Sequence, residues 1–247
     1  MDLIQLGIFA AIGAFTGFIS GMFGIGGGSI RIPLLAMTGM ALIPAFATNM
    51  FAIPFSSGIG AYIQRKNIGW DITKPFVTGA LVGIVIATLI VGFVSSQFLA
   101  IVFLLSTILT IFGLYLNKIS NEIYNKIRPT WFNLFFAGFI ANFIIGMRGG
   151  SGGTAFPPLL RAMHIKIHSA IATSLFAGVF TSLAALGIYF TRGDIIIFPA
   201  AIVAITGVGG SYIGSKLSMR TESKWLKLGL ALLIFIFACI IIYKEFF

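Results

Sequence analysis

Two glycine-rich stretches, 125 residues apart, constrain this chain more than any other feature. Gly21-Met22-Phe23-Gly24-Ile25-Gly26-Gly27-Gly28-Ser29 runs into Pro33-Leu34-Leu35, and Gly146-Met147-Arg148-Gly149-Gly150-Ser151-Gly152-Gly153-Thr154 runs into Pro157-Pro158-Leu159-Leu160. The same offset carries Gly13 to Gly138, Phe18 to Phe143, Thr48 to Thr173, Phe51 to Phe176 and Ser57 to Ser182. From residue 13 to 63 about a third of positions match without a gap, the fixed-period self-similarity of a duplication.

The copies lie in a chain that belongs in a bilayer. Of 247 residues, 58% are hydrophobic and only 9% charged, against ~25% charged in a soluble domain. Apolar runs from Leu3 to Ile25, Phe76 to Val94, Phe98 to Leu116, Trp131 to Met147, Ser169 to Phe190, Ile195 to Ile213 and Leu226 to Tyr243 are each near the ~20 residues that cross as a helix. The start, Met1-Asp2, lacks the basic region of a cleavable signal. The net charge of +10 sits in short loops between spans and marks orientation, not a nucleic-acid surface. The expected fold class is an all-α polytopic membrane protein. Its first repeat covers 1–117, a basic cytoplasmic linker 118–130 and the second repeat 131–247.

Two short apolar segments, Ile30 to Ile43 and Ala155 to Ile165, decide the topology. If neither crosses, the loop lysines and arginines outside the glycine region divide eight against five. If each adds a crossing they divide eleven against two, as the positive-inside rule demands. Five crossings per half put both termini on the extracytoplasmic side of a prokaryotic plasma (inner) membrane and turn the second repeat upside down, the plan of many secondary transporters. Re-entrant loops with a compensating span would give the same parity.

Non-helical backbone at membrane depth is tolerated only where protein buries it or a cavity needs it. Two symmetric glycine breaks therefore point to one central site made of short broken helices. Ser29 and Thr154 stand where N-caps belong, and Pro33 and Pro157 suit first helical turns. Helix starts there would aim positive dipole ends at an anion. Arg31 and Arg148 add charge, and an intramembrane arginine is a functional residue by default. The candidate binding set is thus Arg148, Arg31, Gly27, Gly28, Ser29, Ser151, Gly152, Gly153 and Thr154, with Thr48, Asn49, Thr173 and Ser174 as polar walls. Interhelical hydrogen bonding is the plainer role for those walls. Gly13-x-x-x-Gly17-x-x-x-Gly21, Gly79-x-x-x-Gly83 and Gly210-x-x-x-Gly214 read as packing seams.

Other chemistries lack residues. Neither loop continues into Gly-Lys-Ser/Thr after a strand, so nucleotide binding is excluded. Met22 and Met147 have no Cys/His cluster beside them to hold a soft metal, and the sole cysteine, Cys239, lies in the last apolar run. His164 and His168 flank the turn after the second short segment. All six acids fall at span ends or in loops, which disfavours a carboxylate proton relay. No nucleophile–base pair is evident, so neither catalysis, a cofactor nor a metal is expected.

The repeated Gly-x-x-Gly-x-Gly-Gly-Gly-Ser-x-x-x-Pro-Leu-Leu pattern, with Ala47-Thr48-Asn49 and Ala172-Thr173-Ser174 after it, resembles the sulfite exporter TauE/SafE family, also called the toluene sulfonate uptake permease family. The resemblance spans essentially the whole chain. It implies an inner-membrane transporter for sulfite, an organosulfonate or a similar small anion, with Gly26, Gly27, Gly28, Ser29 and Pro33, and Ser151, Gly152, Gly153, Thr154 and Pro158, at its loops. The second loop departs from the first by Arg148 and a double proline. A passive anion channel and a non-transporting membrane scaffold are the alternatives. Oligomeric state is not legible.

Overall fold

A computed structural model describes residues 3–91, 93–95, 98, 127–147, 149–153, 155–226, 228–229 and 232. Arg148, Thr154, Cys239, most of the runs Phe98–Leu116 and Leu226–Tyr243, and the linker up to residue 126 lie outside them. Every regular element described is helical: α1 (Leu3–Phe23), α2 (Gly28–Met37), α3 (Leu42–Ile63), a 3-10 turn (Arg65–Asn67), α4 (Trp70–Val91), α5 (Trp131–Gly146), α6 (Phe156–Ala162), α7 (Ile167–Thr191) and α8 (Ile197–Arg220). Five of them, α1, α3, α4, α7 and α8, are long and apolar enough to cross a membrane.

Burial follows the bilayer rather than water. Large apolar side chains such as Phe15, Phe180, Ile205 and Ile213 face outward, while Thr16, Ser20, Asn49, Asn142, Thr173 and Ser211 are buried. Lipid tails are as apolar as leucine, so helices associate through close backbone packing and not through hydrophobic burial. Glycine makes that approach possible. A Cβ on Gly17 would lie 2.2 Å from the Gly207 carbonyl oxygen, and one on Gly79 would lie 1.9 Å from that of Phe135. Along one seam Gly13 meets Val203 and Thr206, Gly17 meets Gly207, and Gly21 meets Ser211, so α1 and α8 run parallel. Gly79 on Phe135 and Gly83 on Phe139 set α4 and α5 parallel in the same way.

Helices α3 and α7 fill the centre, antiparallel, with Gly60 against Leu175 and Gly178 against Ser57 and Ile53. Contacts at the helix ends then fix the path. Gln5, Thr38, Gly39, Met40, Ile196 and Pro199 line a cavity of about 440 Å³ at one end. At the other, Gln64 reaches the Gly21 carbonyl and Gly69 lies beside Ser169. Helix α2 therefore returns the chain to the end where α1 began, and α6 returns it to the end where α5 began. Ten residues of α2 cover ~15 Å, half of a ~30 Å hydrocarbon core. The short segments thus make their return as glycine loop plus half-length helix, not as complete spanning helices.

Candidate functional site

The two loops fold alike at matching positions. Gly24 and Gly149 have φ of 70° and 72°, and Gly27 and Gly152 have φ of 73° and 69°. This left-handed conformation costs an L-residue ~1–2 kcal/mol, which is why glycine recurs there. The Gly27 carbonyl accepts the N–H groups of Ile30 (3.1 Å) and Arg31 (2.8 Å); that of Gly152 accepts those of Ala155 (2.9 Å) and Phe156 (3.0 Å). Ser29 is accordingly not the cap of α2. The helix starts at Gly28, with left-handed Gly27 as its cap, because reversing the chain there requires φ > 0 and glycine supplies it. Pro33 lies inside α2 beyond the first turn, whereas Pro157 does occupy the first turn of α6. Thr154 is outside the described residues.

The loops touch each other. A Cβ on Gly153 would stand 2.3 Å from the Ile25 carbonyl oxygen and 2.7 Å from the Gly26 nitrogen, and one on Gly26 would stand 3.1 Å from Ser151 Oγ. Two reciprocal hydrogen bonds tie each half to the other's loop. Asn49 Nδ2 donates to the Gly149 carbonyl at 2.8 Å, and Ser174 Oγ donates to the Gly24 carbonyl. Asn49 and Ser174, like Gly24 and Gly149, are 125 residues apart, so the two bonds exchange under the sequence offset.

Arg31 is the one charged side chain at this junction among the described residues, and it is completely buried. Its Nε donates to Thr16 Oγ1 at 3.0 Å and its Nη1 to Asn49 Oδ1 at 3.0 Å. Nη2 has no partner and lies against bare backbone, where a Cβ on Gly27 would be 3.1 Å away and one on Gly207 3.9 Å. No carboxylate answers it among the described residues. Asp71 and Glu222 are exposed at the surface, and Asp194 is paired with Arg192 at 3.0 Å. A buried charge with neutral partners alone is costly.

The other predicted residues divide. Gly28 backs directly onto the Asn49 amide, 2.7 Å from a would-be Cβ. Ser151 Oγ is buried at the junction with no partner. Gly152 packs against Asn142 Oδ1, also unpartnered, while Asn142 Nδ2 holds the Ala80 carbonyl at 2.8 Å. Thr48 points away, to Met40 Sδ at 3.6 Å, and Thr173 meets Thr73 Oγ1 at 3.1 Å. Thr16 and Asn142 were not anticipated. Their signal was there: each is a polar residue inside an apolar run that precedes a glycine loop. Among the described residues no three of His, Cys, Asp and Glu come together.

Known proteins resemble this chain along most of its length. A probable membrane transporter protein of Methanocaldococcus jannaschii is 27% identical over 93% of this chain and 92% of its own. One of Haemophilus influenzae is 24% identical over 92% and 94%. The probable membrane transporter protein YunE of Bacillus subtilis is 38% identical over a shorter stretch, 32% of this chain and 30% of its own. No solved structure matches. The family model described as sulfite exporter TauE/SafE matches residues 9–241, and with nearly the whole chain covered, this protein belongs to that family and is a membrane transporter.

Proposed function

We propose that the chain moves a small oxyanion across the membrane by alternating access, and that the anion binds at the Arg31 junction. The observation that carries this reading is the fully buried guanidinium with one unpartnered nitrogen and no carboxylate among the described residues. Its planar fork matches an oxyanion, and the positive end of α2 lies at the same place. The family's description supports a sulfur-containing substrate such as sulfite or an organosulfonate. Arg148, drawn from the sequence, belongs to the same proposal as a second source of charge.

Alternating access is supported by closure on both sides. Phe9, Leu35, Phe46, Met50 and Val203 form an apolar cluster toward the end where α1 begins. Phe76, Phe156 and Leu160, with Phe23, Ile171 and Leu175, form two more toward the other. An anion on Arg31 leaves only when one of these layers parts. The reciprocal bonds of Asn49 and Ser174 support treating the halves as inverted copies that exchange roles during the cycle.

The test is sulfite and sulfonate flux in proteoliposomes. Arg31→Ala is expected to lower saturable flux by at least tenfold, as is Arg148→Ala, each in protein that still elutes as a folded species. Undiminished flux in Arg31→Ala sinks the site. Counterflow separates the transporter from a channel: unlabelled substrate on the far side accelerates uptake through the former alone.

A further inference from the structure

We propose that this protein holds a sodium ion at the buried C-terminal end of α1, between α1, α3 and α8. Helix α1 stops at Phe23 inside the protein, so the negative end of its dipole is buried there. Around its last turn the side chains supply neutral oxygens. Gln64 Nε2 and Ser215 Oγ both donate to the Gly21 carbonyl, at 3.0 and 3.2 Å, which gathers an amide and a hydroxyl from two other helices onto one oxygen. Gln64 Oε1 is then left without a partner, as are Ser20 Oγ beside Gly21 and Ser218 Oγ one turn beyond Ser215. All of these side chains are completely buried.

Unmet buried oxygens cost ~1–3 kcal/mol apiece, and these three belong to residues on α1, at the end of α3 and on α8, within a turn of the groups that meet at the Gly21 carbonyl; neutral oxygens of this kind suit a hard cation. None of these groups titrates, so the occupant is not a proton. None is a carboxylate, so a divalent ion would be undercompensated. A monovalent cation is left, and sodium, the smaller and harder of the common ones, suits neutral oxygens.

The position also suggests coupling, a part that rests on the anion site proposed above. Ser20 is one helical turn from Thr16, which holds Arg31. Two cations so close repel each other until an anion sits on Arg31, so anion and sodium raise each other's affinity by the same factor.

Thermal unfolding of the purified, full-length protein tests this in NaCl, KCl and choline chloride at equal ionic strength. Sodium is expected to raise the midpoint saturably, by about 5 °C, with potassium and choline flat; no sodium-specific rise overturns the site. Ser218→Ala should weaken apparent sodium affinity at least fivefold, and unchanged affinity overturns the ligand set. Gln64→Glu adds a carboxylate and should tighten it, a gain that misfolding cannot produce; a variant that is no tighter counts against Gln64. Saturating sulfite should increase sodium affinity severalfold in the wild type. A sodium response that sulfite leaves untouched overturns the coupling and speaks against the anion reading, while the cation site stands.

Discussion

At the scale of single residues, the proposed function turns on the acidic partner that Arg31 lacks among the described residues. Thr16 and Asn49 satisfy two of its donors with neutral oxygens, which fixes the fork in space but leaves its charge uncancelled. Asn49→Asp tests that difference with almost no change in shape. The carboxylate would neutralise Arg31 at the 3.0 Å contact and repel an incoming anion. Removing or adding one member of a buried charge pair is worth several kcal/mol. Sulfite binding is therefore expected to fall at least tenfold, with the melting temperature kept or raised despite the lost donor to Gly149. Calorimetry on the purified variant checks it, and wild-type affinity would contradict the role of Arg31. The sequence made Arg31 legible as an arginine beside a glycine break. It could not reveal the partners, because Thr16 and Asn49 lie 15 and 18 residues away and meet it only through the return of α2. Thr48 shows the converse: it sits next to Asn49, yet a helix turns neighbours by about 100° and sends its hydroxyl to Met40.

Among the elements, glycine has two separable jobs, and substitution tells them apart. In the loops it permits left-handed backbone and backbone contact between halves. Gly153→Ala would drive a methyl into the Ile25 carbonyl and the Gly26 nitrogen, neither of which can rotate away, so a loss of about 2–4 kcal/mol is expected. Gly187 in α7 is exposed and has nothing within 4 Å of a would-be Cβ. There alanine should gain up to ~1 kcal/mol through helix propensity. Unfolding midpoints of the two variants in one detergent are the measurement, and equal midpoints would refute the loop contact. Pattern alone separated the packing seams from the glycine breaks, because seams keep a four-residue spacing within apolar runs. It misplaced the helix start at Ser29 because a serine cap and a glycine cap read equally well until φ at Gly27 is known.

For the whole molecule, what remains is which end faces which compartment, and here backbone path and charge make independent demands. The path puts Thr38 at the end of Gln5 and Ile196, joined by Arg192 at the far end of α7, and puts Lys66 and Lys166 at the opposite end, where Gly69 meets Ser169. Charge then assigns compartments. Arg65, Lys66, Lys74, Lys166, Lys216, Arg220 and Lys224 gather at the second end, against Arg192 at the first, so the second end is expected to be cytoplasmic. In a Cys239→Ser background, single cysteines at Thr38, Arg192, Lys66 and Lys166, all exposed, should divide cleanly. A membrane-impermeant maleimide added to intact cells should label the first two, and label the last two only after permeabilisation. Thr38 and Lys66 labelled from one side would break the path of α2 and α3 itself. A clean division with the compartments exchanged would keep that path and discard the charge argument alone, because parity follows from the returning half-helices and orientation from lysine and arginine counts.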